Sequence, residues 1–119
     1  MSKVLIVYCS MSGNTKAAAE AIAEGAQKAG AQVTVKAGTA AQPDDLLKCD
    51  AVALGSYDAF SYMGGGLKDF LDRAFYPTQG QVTDKPYAAF LTHGDRLRLK
   101  VDVIYPQSKE GSSSQAAAI

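Results

Sequence analysis

Two hydrophobic periods alternate along this chain. Lys3-Val4-Leu5-Ile6-Val7-Tyr8-Cys9 is a continuous apolar run with β-branched residues, the pattern of a strand buried on both faces of a parallel sheet. Ser10 to Asn14 is turn-like. From Thr15 the spacing becomes helical, with Ala18, Ala21, Ile22, Gly25, Ala26 and Ala29 on one face and Glu20, Glu24, Gln27 and Lys28 on the other. Gly30 stops that helix. Gln32 to Lys36 alternates as a short strand. Pro43-Asp44-Asp45 opens a short helix ending near Lys48, with acids at its positive end. Ala51-Val52-Ala53-Leu54-Gly55 is a third buried strand, followed by a glycine- and aromatic-rich loop from Ser56 to Gly66. Leu67, Phe70, Leu71 and Ala74 then make a helical stripe, ended by Pro77, and Tyr87 to Thr92 is a fourth strand.

The order β-α-β-α-β-α-β predicts an α/β fold, a doubly wound parallel sheet with right-handed crossovers and helices on both faces. Ligands of such sheets sit at the carboxyl ends of the strands. Those ends are Cys9-Ser10, Gly55-Ser56 and Thr92-His93. The pattern then changes. Leu97, Leu99, Val101, Val103 and Tyr105 alternate with Arg98, Lys100, Asp102 and Ile104, a period-two strand that turns back antiparallel on strand four or is exchanged with a neighbouring chain. A Ser/Ala-rich tail follows. Residues 1–95 carry 8 basic and 10 acidic groups and residues 96–119 carry 4 and 2, so charge shifts at the same seam.

Composition narrows the classes. The 119 residues suit one domain, and 47% apolar with 20% charged residues is globular. Zero net charge argues against nucleic acid as a partner. No apolar run approaches a membrane span, and the first residues lead into a strand without a signal-peptide pattern. Cys9 and Cys49 have no zinc or CxxC spacing and read as buried, reduced thiols of a cytoplasmic protein.

The chemistry gathers at the strand ends. Ser10-Met11-Ser12-Gly13-Asn14-Thr15 places three hydroxyls and an Asn at a helix N-terminus, where unpaired N–H groups and the dipole favour an anion. The loop is neither a Walker loop nor a GxGxxG fingerprint, so a plain Ser/Thr cap is the competing reading. A segment of this kind after an N-terminal strand resembles the phosphate loop of the flavodoxin family. Gly55-Ser56, Met63 and Leu67-Lys68-Asp69-Phe70-Leu71-Asp72 resemble its second flavin loop and the next helix, most closely in its quinone-reductase branch. Tyr87 to Gly94 is similar to its fourth strand and third loop.

The resemblance implies a flavodoxin-like FMN-binding domain over residues 1–95, with residues 96–119 an atypical C-terminal strand and tail of the same domain. It implies that Ser10, Met11, Ser12, Gly13, Asn14 and Thr15 hold the phosphate. The ring would lie along Ser56, Tyr57, Asp58, Ala59, Phe60 and Tyr62, and Thr92, His93, Gly94 and Asp95 would reach it from the third loop. Tyr57, Phe60 and Tyr62 are the candidate stacking faces, with core packing as the alternative for each. This chain departs from the family at Tyr57 and Asp58, where Pro and Thr are usual, at Ala59, often aromatic, and at Ser61, where Gly is expected. It is also too short for the family's last helix, strand and helix.

Other chemistries find less support. A strand-end Cys before a loop and helix also resembles low-molecular-weight tyrosine phosphatases, but the position six after Cys9 is Thr15 rather than the required Arg. His93, the single histidine, has no partners for a metal, and no GxSxG elbow is present. Three function classes remain. They are an FMN electron carrier between redox partner proteins, an NAD(P)H:quinone-type oxidoreductase acting on a small quinone-like acceptor, and a non-catalytic module with an incomplete flavin site. The expectation is an FMN-binding redox protein mediating electron transfer. Without a final helix, one face of strands three and four would lie bare, which predicts a homodimer through those faces or through exchanged 97–105 strands.

Overall fold

The computed structural model describes residues 2–59, 61–93 and 98–104. In chain order these form β1 (Lys3–Tyr8), α1 (Asn14–Lys28), β2 (Gln32–Ala37), α2 (Pro43–Lys48), β3 (Ala51–Tyr57), α3 (Gly65–Thr78), β4 (Tyr87–His93) and β5 (Arg98–Ile104). The sheet order is β2-β1-β3-β4-β5. β1, β2, β3 and β4 are parallel, and β5 returns antiparallel on β4 with His93 opposite Arg98 and Tyr87 opposite Ile104. Of the two expected paths for the last strand, the antiparallel return within the chain is the one observed.

Alternate residues of each central strand serve opposite faces, and this splits the core in two. Leu5 and Val7 of β1 with Val52 and Leu54 of β3 meet Leu67, Phe70 and Ala74 of α3. Ile6, Ala53 and Phe90 meet Ala18, Ala19 and Ala23 of α1 on the other side. Phe70 is wholly buried, a side chain whose burial contributes roughly 1.5–3 kcal/mol. The short α2 starts on Pro43, and the Asp45 carboxylate closes its first turn by accepting the Gln42 N–H at 2.8 Å.

Four expectations change. The buried stripe of α1 is Thr15, Ala18, Ala19 and Ala23, whereas Ala21, Gly25 and Ala29 are exposed. An alanine-rich helix has little contrast to fix its rotation, so packing on Ile6 and Phe90 decides the phase. Pro77 lies inside α3, which runs on to Thr78, whose hydroxyl donates to the Ala74 carbonyl at 2.7 Å. Ser56 and Tyr57 belong to β3 rather than to the loop, because β4 continues alongside them and pairs with both. The bare face expected over β3 and β4 is not found. Ala53 is 7% and Phe90 3% exposed, and the large exposed apolar residues among those described, Met11, Val35, Tyr62, Phe75 and Tyr76, all lie elsewhere. Phe90 closes that face because its ring lies over Gly55, where any Cβ would collide with it.

Candidate functional site

The parallel strands bring three loops to one edge. Cys9 N–H bonds the Gly55 carbonyl at 3.1 Å, and Asp58 N–H bonds the Thr92 carbonyl at 2.9 Å. The ends of β1, β3 and β4 are therefore adjacent, and the candidate residues that follow them converge.

In the first loop the Ser10 hydroxyl accepts the Gly13 N–H at 3.0 Å, folding the loop into a tight turn. Gly13 is the N-cap of α1 at φ 95°, a left-handed conformation that L side chains rarely adopt. It has no side chain to accept a first-turn N–H, and no side chain caps the helix. The first-turn N–H groups thus face outward at the positive end of a 15-residue helix, next to the exposed Ser12 and Asn14. This is the chemistry a phosphate requires. Met11 is 82% exposed and stands at the rim.

The second loop is built from within. The Ser56 hydroxyl, 4% exposed, accepts the Gly64 N–H at 2.7 Å, donates to the Tyr57 carbonyl at 2.7 Å and receives the Cys9 thiol at 3.4 Å. Ser56 therefore holds the loop shut rather than presenting its hydroxyl. A Cβ at Gly64 would lie 2.6 Å from Cys9 Sγ and 2.7 Å from the Tyr57 ring, so β1, β3 and the start of α3 close on one point. Tyr57 is half-buried against the α3-side core, while Tyr62 is 57% exposed at the edge. Between them Ala59 and Tyr62 exchange backbone bonds of 2.9 and 3.1 Å. The Asp58 carboxylate is exposed and accepts the Ser61 N–H at 2.6 Å, which holds Ser61 at φ 64°. Asp58 is thus engaged in the turn itself, and Ser61 takes the conformation for which glycine is better suited.

The third loop joins the first through a pair of hydroxyls. Thr15 Oγ1 and Thr92 Oγ1 are 2.8 Å apart, and Thr15 is 1% exposed. The hydroxyl of Thr15, a candidate for the phosphate, meets Thr92 and ties the start of α1 to the end of β4. His93 closes β4 in the backbone pairing. Phe60, Gly94 and Asp95 lie outside the described residues.

Two further features hold the site in shape. Arg73 on α3 donates to the carbonyls of Ala41 at 2.8 Å and Gly38 at 2.6 Å, and to Asp69 at 2.9 Å. This clamps the segment after β2 onto α3. The Gly38 and Gly66 backbones meet so closely that a Cβ at 38 has no room. The Gly64-Gly65-Gly66 run was the visible hint of that approach; the Arg73 clamp, bridging more than thirty residues, had none.

Cys49 and Lys85 make structural contacts. Burial pushes the Cys49 thiol up, and it donates to the Leu46 carbonyl at 3.3 Å. Lys85 Nζ caps the end of α2 at the carbonyls of Leu46 and Cys49, at 2.7 and 2.6 Å. Both cysteines are free and buried. Among the described residues no three His, Cys, Asp or Glu side chains cluster as a metal site, and no helix is long and apolar enough to cross a membrane.

Comparison with known proteins agrees with this geometry. A flavodoxin from Aquifex aeolicus is 35% identical over 95 residues, which cover 79% of this chain and 51% of that one. An NAD(P)H dehydrogenase (quinone) from Rhodopseudomonas palustris is 35% identical over 94 residues, 62% of this chain and 47% of that one. The chain thus spans about half the length of the curated relatives it matches. Among solved structures, a flavodoxin from the domain Archaea superposes with a TM-score of 0.71 at 33% identity, over 78% of this chain and 64% of that one. The family model for flavodoxin matches residues 6–92, a span that runs from within β1 to within β4 and includes the first two loops. On that match and on the sheet order that accompanies it, the chain belongs to the flavodoxin family.

Proposed function

We propose that this chain binds FMN at the three-loop edge and serves electron transfer. The observation that carries the reading is the open N-terminus of α1, with Gly13 left-handed and Ser12 and Asn14 exposed beside it. Neutral donors are sufficient there, because several N–H and O–H bonds and the helix dipole can together satisfy a phosphate dianion. Ser12, Gly13 and Asn14 would hold the phosphate, with Ser10 shaping the turn and Thr15 anchoring it. The segment Tyr57 to Tyr62 would border the ring, Tyr62 offering an exposed aromatic face and Asp58 keeping the turn in shape. When bound, the flavin supplies the one- and two-electron chemistry, and the protein's part is to hold and orient it.

A redox partner protein is the proposed source or sink of electrons. The second reading, reduction of a small quinone-like acceptor, is favoured by the quinone-dehydrogenase relatives. The two free, buried thiols suit a reducing, cytoplasmic setting. The chain is further proposed to self-associate as a homodimer, though not through a bare sheet face.

The test is a titration of FMN by fluorescence quenching, with the visible absorption spectrum of the mixture. Saturable quenching and a perturbed flavin band are expected. Absence of saturable quenching refutes FMN binding and leaves a non-catalytic module. Turnover of NAD(P)H with a quinone by the loaded protein separates the reductase from the carrier.

A further inference from the structure

β5 is an outer strand of the sheet. Its inner edge is paired along all seven residues with β4, and among the described residues no strand pairs its outer edge. An antiparallel edge of this length, open among the described residues, is a template for another strand. Within the chain, Lys100 is registered with Leu91 and Asp102 with Ala89, so β4 sets no charged residue opposite either.

We propose that β5 pairs edge to edge with β5 of a second copy, about a two-fold axis at Val101, to make one continuous ten-stranded sheet. The inference rests on the homodimer reading above only for the fact of self-association, and it is independent of flavin. Register selects this pairing. In an antiparallel pair, opposed residues must both direct their backbone bonds toward the partner strand or both away from it. For a strand paired with its own copy, the two residue numbers must therefore add to an even value. Three registers keep most of the strand paired. One centres on Lys100, overlaps five residues and sets Lys100 against Lys100, with Arg98 opposite Asp102 twice. Another centres on Asp102 and sets Asp102 against Asp102. The third centres on Val101 and is the one that overlaps all seven residues. It sets Lys100 opposite Asp102 twice, Leu99 opposite Val103 twice and Val101 opposite itself. Opposite charges and β-branched pairs directly across a ladder stabilise it, and like charges destabilise it. The Val101 register is thus the one of the three that pairs all seven residues and opposes no like charges.

The other edge of the sheet lacks this property. β2 reads Gln-Val-Thr-Val-Lys-Ala, and its one charged residue, Lys36, is already paired with Asp45 at 2.9 Å. A second copy joined through β5 leaves the three-loop edge open in both subunits, because that edge lies at the ends of the strands and not along the side of the sheet.

Charge exchange at the two positions tests the register. Sedimentation velocity of the parent protein, from low to high micromolar, should show reversible dimerisation. Lys100→Asp sets Asp against Asp twice, and Asp102→Lys sets Lys against Lys twice. Each variant alone should dimerise about tenfold more weakly or worse. Their equimolar mixture should recover a heterodimer, since every opposed pair is then of opposite sign. The double reversal, Lys100→Asp with Asp102→Lys, should dimerise with itself but not with the parent. It has the parent's composition and serves if a single variant fails to fold by circular dichroism. A parent that stays at 12.5 kDa throughout overturns both self-association and this mode of it. Variants that dimerise as well as the parent, a mixture that gains nothing, or a double reversal that mixes freely with the parent each overturn the β5 register and leave the homodimer reading standing.

Discussion

Removing the Thr92 hydroxyl alone should cost more than removing both hydroxyls of the Thr15–Thr92 pair. The two oxygens are 2.8 Å apart, and Thr15 is 1% exposed while Thr92 is half-buried. Valine replaces the hydroxyl with a methyl of nearly the same shape, so packing is kept and the lost bond is isolated. Thr92→Val leaves the Thr15 hydroxyl in the core without a partner, which costs roughly 2–3 kcal/mol, the upper part of the range for a buried unsatisfied group. Thr15→Val leaves the Thr92 hydroxyl where water reaches it, and about 1 kcal/mol is expected. The double variant has no orphan and should lie within about 1 kcal/mol of the parent. Urea denaturation followed by circular dichroism reads all three. With a slope of about 1–3 kcal/mol per molar for a small domain, the Thr92→Val midpoint should fall by about 1 M. The coupling from the double-mutant cycle is the decisive quantity. If the two single effects simply add, the hydroxyls do not depend on each other, and the link between the first and third loops is refuted.

Two further outcomes follow from the packing and the ion pairs. Gly55→Ala places a methyl where the Phe90 ring lies and should destabilise by about 1–3 kcal/mol, with Phe90→Leu in the same chain recovering part of it; a neutral single variant would show that the ring does not lie over Gly55. Asp45 is pushed up by burial but is carried below its ordinary value of 3.8 by the Gln42 N–H and by Lys36 and Lys48. A carboxyl lowered in the folded state contributes stability that is present above about pH 4 and is lost as the pH falls through its folded value. Asp45→Asn should therefore flatten the acid limb of a stability-against-pH curve, and an unchanged limb would refute the pairing.

The strands, the helices and the first loop were legible in the sequence. A buried strand, an amphipathic helix and a glycine-bearing turn each declare themselves within a few consecutive residues. Val4 to Tyr8, Ala51 to Gly55 and the Ser10 to Thr15 segment needed nothing from the rest of the chain. The alternation of these segments also implied the parallel sheet, because right-handed crossovers leave few other ways to connect them. The burial of β3 and β4, the phase of α1 and the roles of particular hydroxyls depended on tertiary packing. Small residues on several sides of α1 present nearly equal faces, so only the contact with Ile6 and Phe90 selects Ala19 and Ala23 over Ala21 and Gly25. Thr15 looks like a ligand-facing residue from its motif, but its partner is 77 positions away and is brought to it by the pairing of β3 with β4. Ser56 and Arg73 behave likewise, one turned inward by Gly64 and the other drawn to carbonyls more than thirty residues distant. Local periodicity sets which segments become strands and helices, whereas a hydroxyl or guanidinium takes the partner that the folded backbone places within about 3 Å of it, and no local pattern records that distance.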